Sequence, residues 1–372
     1  MPIFSTKFLR KSLLSVPWLF ASAAFLTTQV HAQRQNTPGE INPSASSTAK
    51  NPVFPRRVSL GPAGGETMQL AEFPLNIDEQ PGIMLPVTIN GKTYRFMLDT
   101  GATTTSFDES LRHLLGEPVG KKMSEAAAGP NVETDFYAPV DAMVGPLSLK
   151  GCGLISVGDF ESVRKVFGGV PCDGVLGMSF ISRYLWVISW DDQKICVCES
   201  LAPAEKQEAR SKIKIGPRVF SRIPIELPGS KVNALLDTGY GSVLGLGKDT
   251  FKALNDQGEI PKTVFVDMAT AGGMRKVEFG LLNEFKFLRG DSADLFEKAM
   301  VSESTRTRLG LPFLKAYMVI WDVPDDRITL IPRAPLRQLR KAQGLPDIAP
   351  PVGVPDPRTI PHKVAVPSDN QE

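Results

Sequence analysis

The chain has 372 residues, with 42 basic and 40 acidic side chains and a formal net charge of +2 at pH 7. Three basic residues (Lys7, Arg10, Lys11) fall in an N-terminal segment that reads as removable, which leaves about 2 − 3 = −1 and no charge signature for a nucleic-acid or membrane-surface partner. Three histidines in the whole chain, His31, His113 and His362, argue against Ser-His or Cys-His nucleophiles and against a His-based metal site.

Residues 1–32 read as a secretory signal peptide. Lys7, Arg10 and Lys11 supply a positive start, Leu13 to Leu26 is apolar and contains Pro17, and Val30-His31-Ala32 sets cleavage after Ala32. An uncleaved anchor is disfavoured, because the apolar run is short for a membrane span and ends in Thr27-Thr28-Gln29. The expected location is therefore exported, periplasmic or secreted, with no stable membrane insertion after cleavage. Residues 33–62 are rich in Ser, Pro, Asn and Gln and read as a disordered leader. Residues 336–372 read as a Pro-rich tail.

Between these ends the chain repeats itself. Leu85-Pro86-Val87-Thr88-Ile89-Asn90-Gly91-Lys92 is matched by Ile223-Pro224-Ile225-Glu226-Leu227-Pro228-Gly229-Ser230, each an alternating strand that turns at Gly. Phe96-Met97-Leu98 then leads into Asp99-Thr100-Gly101, and Asn233-Ala234-Leu235-Leu236 into Asp237-Thr238-Gly239. The two Asp residues are 237 − 99 = 138 residues apart. Each triplet is followed by a short helical pattern, Asp108 to Leu115 and Asp249 to Leu254. A Gly-bearing turn comes next, at Gly129 and at Gly272-Gly273. A second helical pattern follows, Phe160 to Phe167 and Ala293 to Met300. Val175-Leu176-Gly177 and Arg308-Leu309-Gly310 open the two closing segments. Each half ends in an acidic turn and a last strand, Ile195 to Cys198 and Ile328 to Ile331.

Strands outnumber helices and the connections are short, so the expected class is mainly β with a few short helices. Two similar β-barrel-like lobes related by a pseudo-twofold are expected, at 63–204 and 205–335, in a monomer that acts as an internal pseudo-dimer. If the lobes meet at such an axis, Asp99 and Asp237 lie side by side. Two carboxylates a few ångströms apart in a dry cleft do not both stay ionised. One is then a general base and the other a general acid, which suits amide hydrolysis without a metal, cofactor or covalent intermediate. Thr100 and Thr238 are placed to brace the turns by hydroxyl hydrogen bonds, and Gly101 and Gly239 to let the chain turn tightly.

These two Asp-Thr-Gly turns, each followed by an apolar-Gly segment, resemble the aspartic proteases. Asp99-Thr100-Gly101-Ala102 is most similar to the retropepsin-like group. The resemblance covers about residues 83–200 and 213–332. It implies a duplicated acid-protease fold, an endopeptidase acting on polypeptides, Asp99 and Asp237 as the catalytic pair, and flaps at Gly129, Gly272 and Gly273. It also implies that the two apolar-Gly segments pack behind the catalytic turns. Three departures stand out. Ala102 is matched by Tyr240, a ring expected to crowd the second turn or line the cleft. Val175 is matched by Arg308. The Asp-to-Gly spacing is 177 − 99 = 78 in the first half and 310 − 237 = 73 in the second. The alternative reading is a catalytically inactive peptide-binding protein on the same scaffold. Cys152, Cys172, Cys196 and Cys198 fit either disulfides joining the Cys196/Cys198 pair to the other two or buried free thiols.

Overall fold

The computed structural model describes residues 56–59, 66–75, 82–124, 132–200, 222–270, 273–289, 292–325 and 327–333. The signal peptide, most of the leader, the expected lobe junction and the tail lie outside them. No helix among the described residues is long and apolar enough to cross a membrane.

The protein is mainly β. In chain order the first strands are β1 (Arg56–Ser59), β2 (Glu66–Pro74), β3 (Met84–Ile89), β4 (Lys92–Leu98) and β5 (Ser106–Asp108). A 3-10 helix (Glu109–Leu114) precedes β6 (Pro118–Ser124), β7 (Val132–Tyr137), β8 (Ala142–Val144), β9 (Leu147–Ser148) and β10 (Ile155–Gly158). Helix α1 (Glu161–Val166), β11 (Gly174–Leu176), α2 (Met178–Ile181), β12 (Leu185–Ser189) and β13 (Lys194–Cys198) complete the first half. The second half has β14 (Arg222–Leu227), β15 (Ser230–Asp237), β16 (Leu244–Gly247), α3 (Lys248–Asp256), β17 (Thr263–Thr270) and β18 (Gly273–Arg289). It ends with β19 (Ser292–Ser304), β20 (Arg308–Gly310), α4 (Leu311–Leu314), β21 (Tyr317–Asp322) and β22 (Arg327–Pro332).

Local chemistry sets the hairpins that deliver the two Asp turns. Asn90 (φ 49°) and Gly91 (φ 78°) both take left-handed backbone, which makes β3–β4 a type I′ hairpin. The matching β14–β15 turn uses Pro228 and Gly229 (φ 75°), the residues a type II turn takes. Different turns thus lead into the same Asp-Thr-Gly.

Three sheets result. One runs β6-β7-β10-β5-β11-β4-β3-β8-β9 and another β14-β15-β20-β16-β19-β18-β17. In the second, β14 also pairs with β18 through Ile225–Phe287 and Glu226–Lys286, which closes six of its strands into a barrel. Lys286 Nζ donates to Glu226 Oε1 at 2.9 Å across that closure. The third sheet, β1-β2-β13-β12-β21-β22, takes strands from both halves. Within it β12 lies antiparallel to β21, with Trp186 opposite Trp321. Trp190 Nε1 donates to Leu314 O at 3.0 Å, and both tryptophans of the pair are fully buried. Apolar side chains from both halves form one continuous core.

Ala293 to Met300, expected to be helical, lies inside strand β19. Its apolar spacing fits a helix face, but β18 pairs with it along nearly its whole length, and Phe285 stacks on its cross-strand partner Phe296 with ring centroids 4.9 Å apart. Cross-strand packing of this kind outweighs local propensity. The four cysteines are free thiols. Burial pushes Cys172 up to about 11 and Cys198 up to about 12, so both stay protonated and unreactive at neutral pH.

Candidate active site

β4 buries Phe96, Met97 and Leu98, and β15 buries Ala234, Leu235 and Leu236, so each Asp follows directly on three buried apolar residues. The apolar-Gly segments lie directly behind. β11 runs parallel to β4 with Leu176 beside Leu98, and Asp99 N–H donates to Leu176 O at 3.0 Å. β20 runs parallel to β15 with Leu309 beside Leu236 and Gly310 beside Asp237. A Cβ on Gly177 would lie 2.6 Å from the Thr104 carbonyl carbon, and one on Gly310 would strike the Ser242 and Tyr240 carbonyls. Both glycines are therefore required by the close approach of the turns.

The two Asp-Thr-Gly turns are tied together by their threonines. Thr100 N–H donates to Thr238 Oγ1 at 3.0 Å, and Thr238 N–H donates to Thr100 Oγ1 at 3.0 Å. Each hydroxyl then donates to the strand end of the other half, Thr100 Oγ1 to Leu236 O at 2.9 Å and Thr238 Oγ1 to Leu98 O at 2.6 Å. Both threonines are 1% exposed. Thr238→Val should leave Thr100 N–H and Leu98 O without their partners at a cost of about 1–3 kcal/mol for each orphaned group. Thr100→Val should cost a similar amount. In urea unfolding the double variant should lose less than the sum of the two, because the bonds form one network. Additive losses would mean the threonines act independently.

The network brings the acids to one place. Gly101 N–H and Ala102 N–H donate to Asp99 Oδ1 at 2.8 and 3.2 Å, and Gly239 N–H donates to Asp237 Oδ1 at 3.0 Å. Each glycine also faces the opposite carboxylate: a Cβ on Gly239 would lie 2.6 Å from Asp99 Cγ, and one on Gly101 would overlap the Asp237 carboxylate. Asp237 is 3% exposed, whereas Asp99 keeps part of its surface open. Burial and then the neighbouring Asp237 charge push the Asp99 carboxyl up to about 7, against the opposing pull of Gly101 N–H and Arg308.

Residues 85–180 match the family model for aspartyl protease. The matched segment runs from β3 into α2 and holds Asp99, Thr100, Gly101, Leu176 and Gly177. Asp237 and the residues around it lie beyond it. Comparison with curated proteins finds no match.

Arg308, which stands where the first half has Val175, reaches the acid pair. It is 5% exposed, and its Nη1 donates to Asp237 Oδ2 at 2.8 Å. The sequence signal was a charge in an apolar-Gly segment; its partner was not legible. Tyr240, expected to crowd the second turn or line the cleft, has its ring turned inward and is 6% exposed. Its hydroxyl shares a 2.5 Å hydrogen bond with Ser302 Oγ, and the Arg308 guanidinium lies 5.1 Å from its ring centroid. Gly129 and Gly272, expected in flaps, lie outside the described residues. Gly273 opens β18 opposite Thr270 in the β17–β18 hairpin, which approaches α1 of the first half. His113 is exposed in the 3-10 helix, where its Nδ1 lies 2.9 Å from Ser110 O. Among the described residues no group of three or more His, Cys, Asp or Glu side chains is placed to hold a metal ion.

Proposed function

We propose that this chain is an aspartic endopeptidase that hydrolyses peptide bonds with a water activated between Asp99 and Asp237. The observation that carries the reading is the cross-braced pair of Asp-Thr-Gly turns, in which each glycine faces the other half's carboxylate. A carboxyl raised to about 7 beside a second carboxyl is an acid beside a base at mildly acidic pH. One carboxylate takes a proton from water as the water oxygen bonds to the substrate carbonyl carbon. The other carboxyl donates a proton to the carbonyl oxygen.

The proposal extends to a duplicated acid-protease fold with a pseudo-twofold between lobes at 63–204 and 205–335. Its support is in the pairing pattern. The parallel β4–β11, antiparallel β11–β5 and parallel β5–β10 pairs recur as β15–β20, β20–β16 and β16–β19. In the shared sheet Val187 pairs with Ile320, and 320 − 187 = 133 equals 310 − 177, the offset of the two apolar-Gly segments. Matching residues therefore face each other at one point, as a twofold relation requires. Export through residues 1–32, a polypeptide substrate and a monomeric state belong to the same proposal.

Activity should form a bell on the acid side of neutral. Asp99 must keep its proton, so cleavage falls as pH rises through about 7, and it falls again at low pH when the ionised partner is protonated. A peptide mimic with a hydroxyl-bearing carbon in place of the scissile carbonyl should inhibit. The check is residues 33–372 against a peptide library across pH. Full activity well above pH 7 would contradict an Asp99 acid. One observation favours the inactive peptide-binding alternative: both Asp237 oxygens already accept hydrogen bonds, from Gly239 and Arg308. A wild type that retains peptides but cleaves none at any pH would decide for it.

A further inference from the structure

Val175 and Arg308 occupy matching places in β11 and β20, at the same offset of 308 − 175 = 133 residues. Val175 packs in an apolar group with Met84, Met97, Phe160, Val163 and Cys172. Arg308 instead brings a buried guanidinium to one carboxylate of the pair. Its Nη1 donates to Asp237 Oδ2 at 2.8 Å and its Nη2 to Thr305 Oγ1 at 3.3 Å, while its buried Nε has no partner among the described residues. Gly245 makes room for the stack, since a Cβ there would lie 2.8 Å from both Arg308 Cγ and Tyr240 Cε1. A buried cation with an unsatisfied N–H is costly unless the acid it faces stays charged.

We propose that Arg308 is a positioning residue that keeps the shared proton on Asp99, so that Asp237 is the base and Asp99 the acid. The proposal rests on the endopeptidase reading for its catalytic roles, but the location of the proton is testable without it. Among the described residues the ionisable groups that act at this point are Asp99, Asp237, Arg308 and Tyr240. Asp99 and Asp237 face each other, and Arg308 approaches Asp237 from β20. Tyr240 follows the second turn, and its burial raises its phenol so that it stays neutral. Thr100 and Thr238 contribute uncharged hydroxyls. Among the described residues a single cation acts on one side of the pair and breaks its symmetry: negative charge is favoured on Asp237 and the proton stays on Asp99.

The roles then balance. Asp237 accepts a proton from water as the water oxygen bonds to the carbonyl carbon, and Asp99 protonates the carbonyl oxygen. In the collapse of the diol, Asp237 returns its proton to the amide nitrogen as the C–N bond breaks. Asp99 regains a proton from one diol hydroxyl, leaving a carboxylic acid and an amine. Removing the Arg308 charge takes away the stabilisation of the ionised pair, so more acidic solutions silence the enzyme sooner.

The test combines carboxyl carbon NMR of aspartate-labelled protein with pH profiles of Arg308→Met and Arg308→Lys. Asp99→Asn and Asp237→Asn assign the two signals. At about pH 5.5 the wild-type Asp99 signal should be that of a carboxylic acid and the Asp237 signal that of a carboxylate. Arg308→Met should raise the acid limb of the activity profile by about one pH unit, a loss of about tenfold at a pH one unit below the limb. Arg308→Lys should restore the limb. A wild-type spectrum with the proton on Asp237, or an unchanged limb in a folded and active Arg308→Met, would overturn the proposal. If Arg308→Met does not fold, the wild-type spectrum decides alone. A wild type that cleaves no peptide would sink the endopeptidase reading and leave the proton placement to the spectrum.

Discussion

Asp99→Asn and Asp237→Asn should each lower peptide cleavage by about 10³-fold or more, because each removes one member of a two-group proton transfer. Their effects on stability should be opposite. The sequence places two like charges side by side, a pair that contributes little to stability, which predicts that either amide leaves the fold largely intact. The structure breaks that equivalence. Asp99 sits beside another acid, and its carboxyl is raised from 3.8 to about 7, chiefly by burial. A raised carboxyl favours the folded state fully below its unfolded value, and that contribution is lost as pH rises through about 7. Asp99→Asn removes this dependence, so the variant should match or exceed wild-type stability at about pH 8, above the Asp99 value. Asp237→Asn leaves Arg308, itself 5% exposed, as a buried cation without its anion. Losing one partner of such a pair costs about 3–5 kcal/mol. Urea midpoints of the two variants, measured beside cleavage rates, check both statements. Equal midpoints would mean that the Arg308–Asp237 pair is not a buried ion pair in solution, and undiminished cleavage by either variant would remove the acid pair from the mechanism.

Gly239→Ala should be nearly as damaging to activity, although the change is one methyl group. The added Cβ would lie 2.6 Å from Asp99 Cγ, closer than any ordinary contact, and the obstacle is the acid itself. Either the Asp99 side chain or the second turn must shift. Overpacking of this kind costs about 1–3 kcal/mol. A displacement of about 1 Å at reacting groups lowers rate by about 10²-fold. Gly101→Ala should behave likewise, since its Cβ would overlap the Asp237 carboxylate. Gly241 is the control, two residues from Gly239, where a Cβ would meet nothing within 4 Å. Gly241→Ala should keep near-wild-type cleavage and stability. If Gly239→Ala and Gly241→Ala are indistinguishable in both measurements, the glycines are not packed against the opposite carboxylates.

Much of this arrangement is legible in the chain itself. The paired Asp-Thr-Gly triplets, the apolar strands before them and the Gly-marked hairpins are local signals, because turn residues and strand patterns act over a few neighbours. Asn90-Gly91 and Pro228-Gly229 determine their turns with no help from the rest of the protein. The mainly β class follows from the same kind of reading, whereas the place of the apolar-Gly segments behind the acids is what the resemblance to the aspartic proteases implies and the β4–β11 and β15–β20 pairs show. Tertiary structure decided the remainder. The stretch Ala293 to Met300 carries spacing that suits a helix, and only β18 alongside it makes it a strand. The closing β14–β18 pair and the sheet shared by β12 and β21 join segments more than 50 residues apart, which no local pattern encodes. Arg308 is the sharpest instance. The chain displays a charge where its counterpart has valine, but a charge alone does not name its partner. The parallel pairing of β15 with β20 sets Leu235 beside Arg308 and Asp237 beside Gly310, and that register brings the guanidinium within 2.8 Å of one acid and not the other. The composition of the acid pair was therefore written in the sequence, while its asymmetry arose from packing, because electrostatic partnership depends on distances that only the folded chain defines.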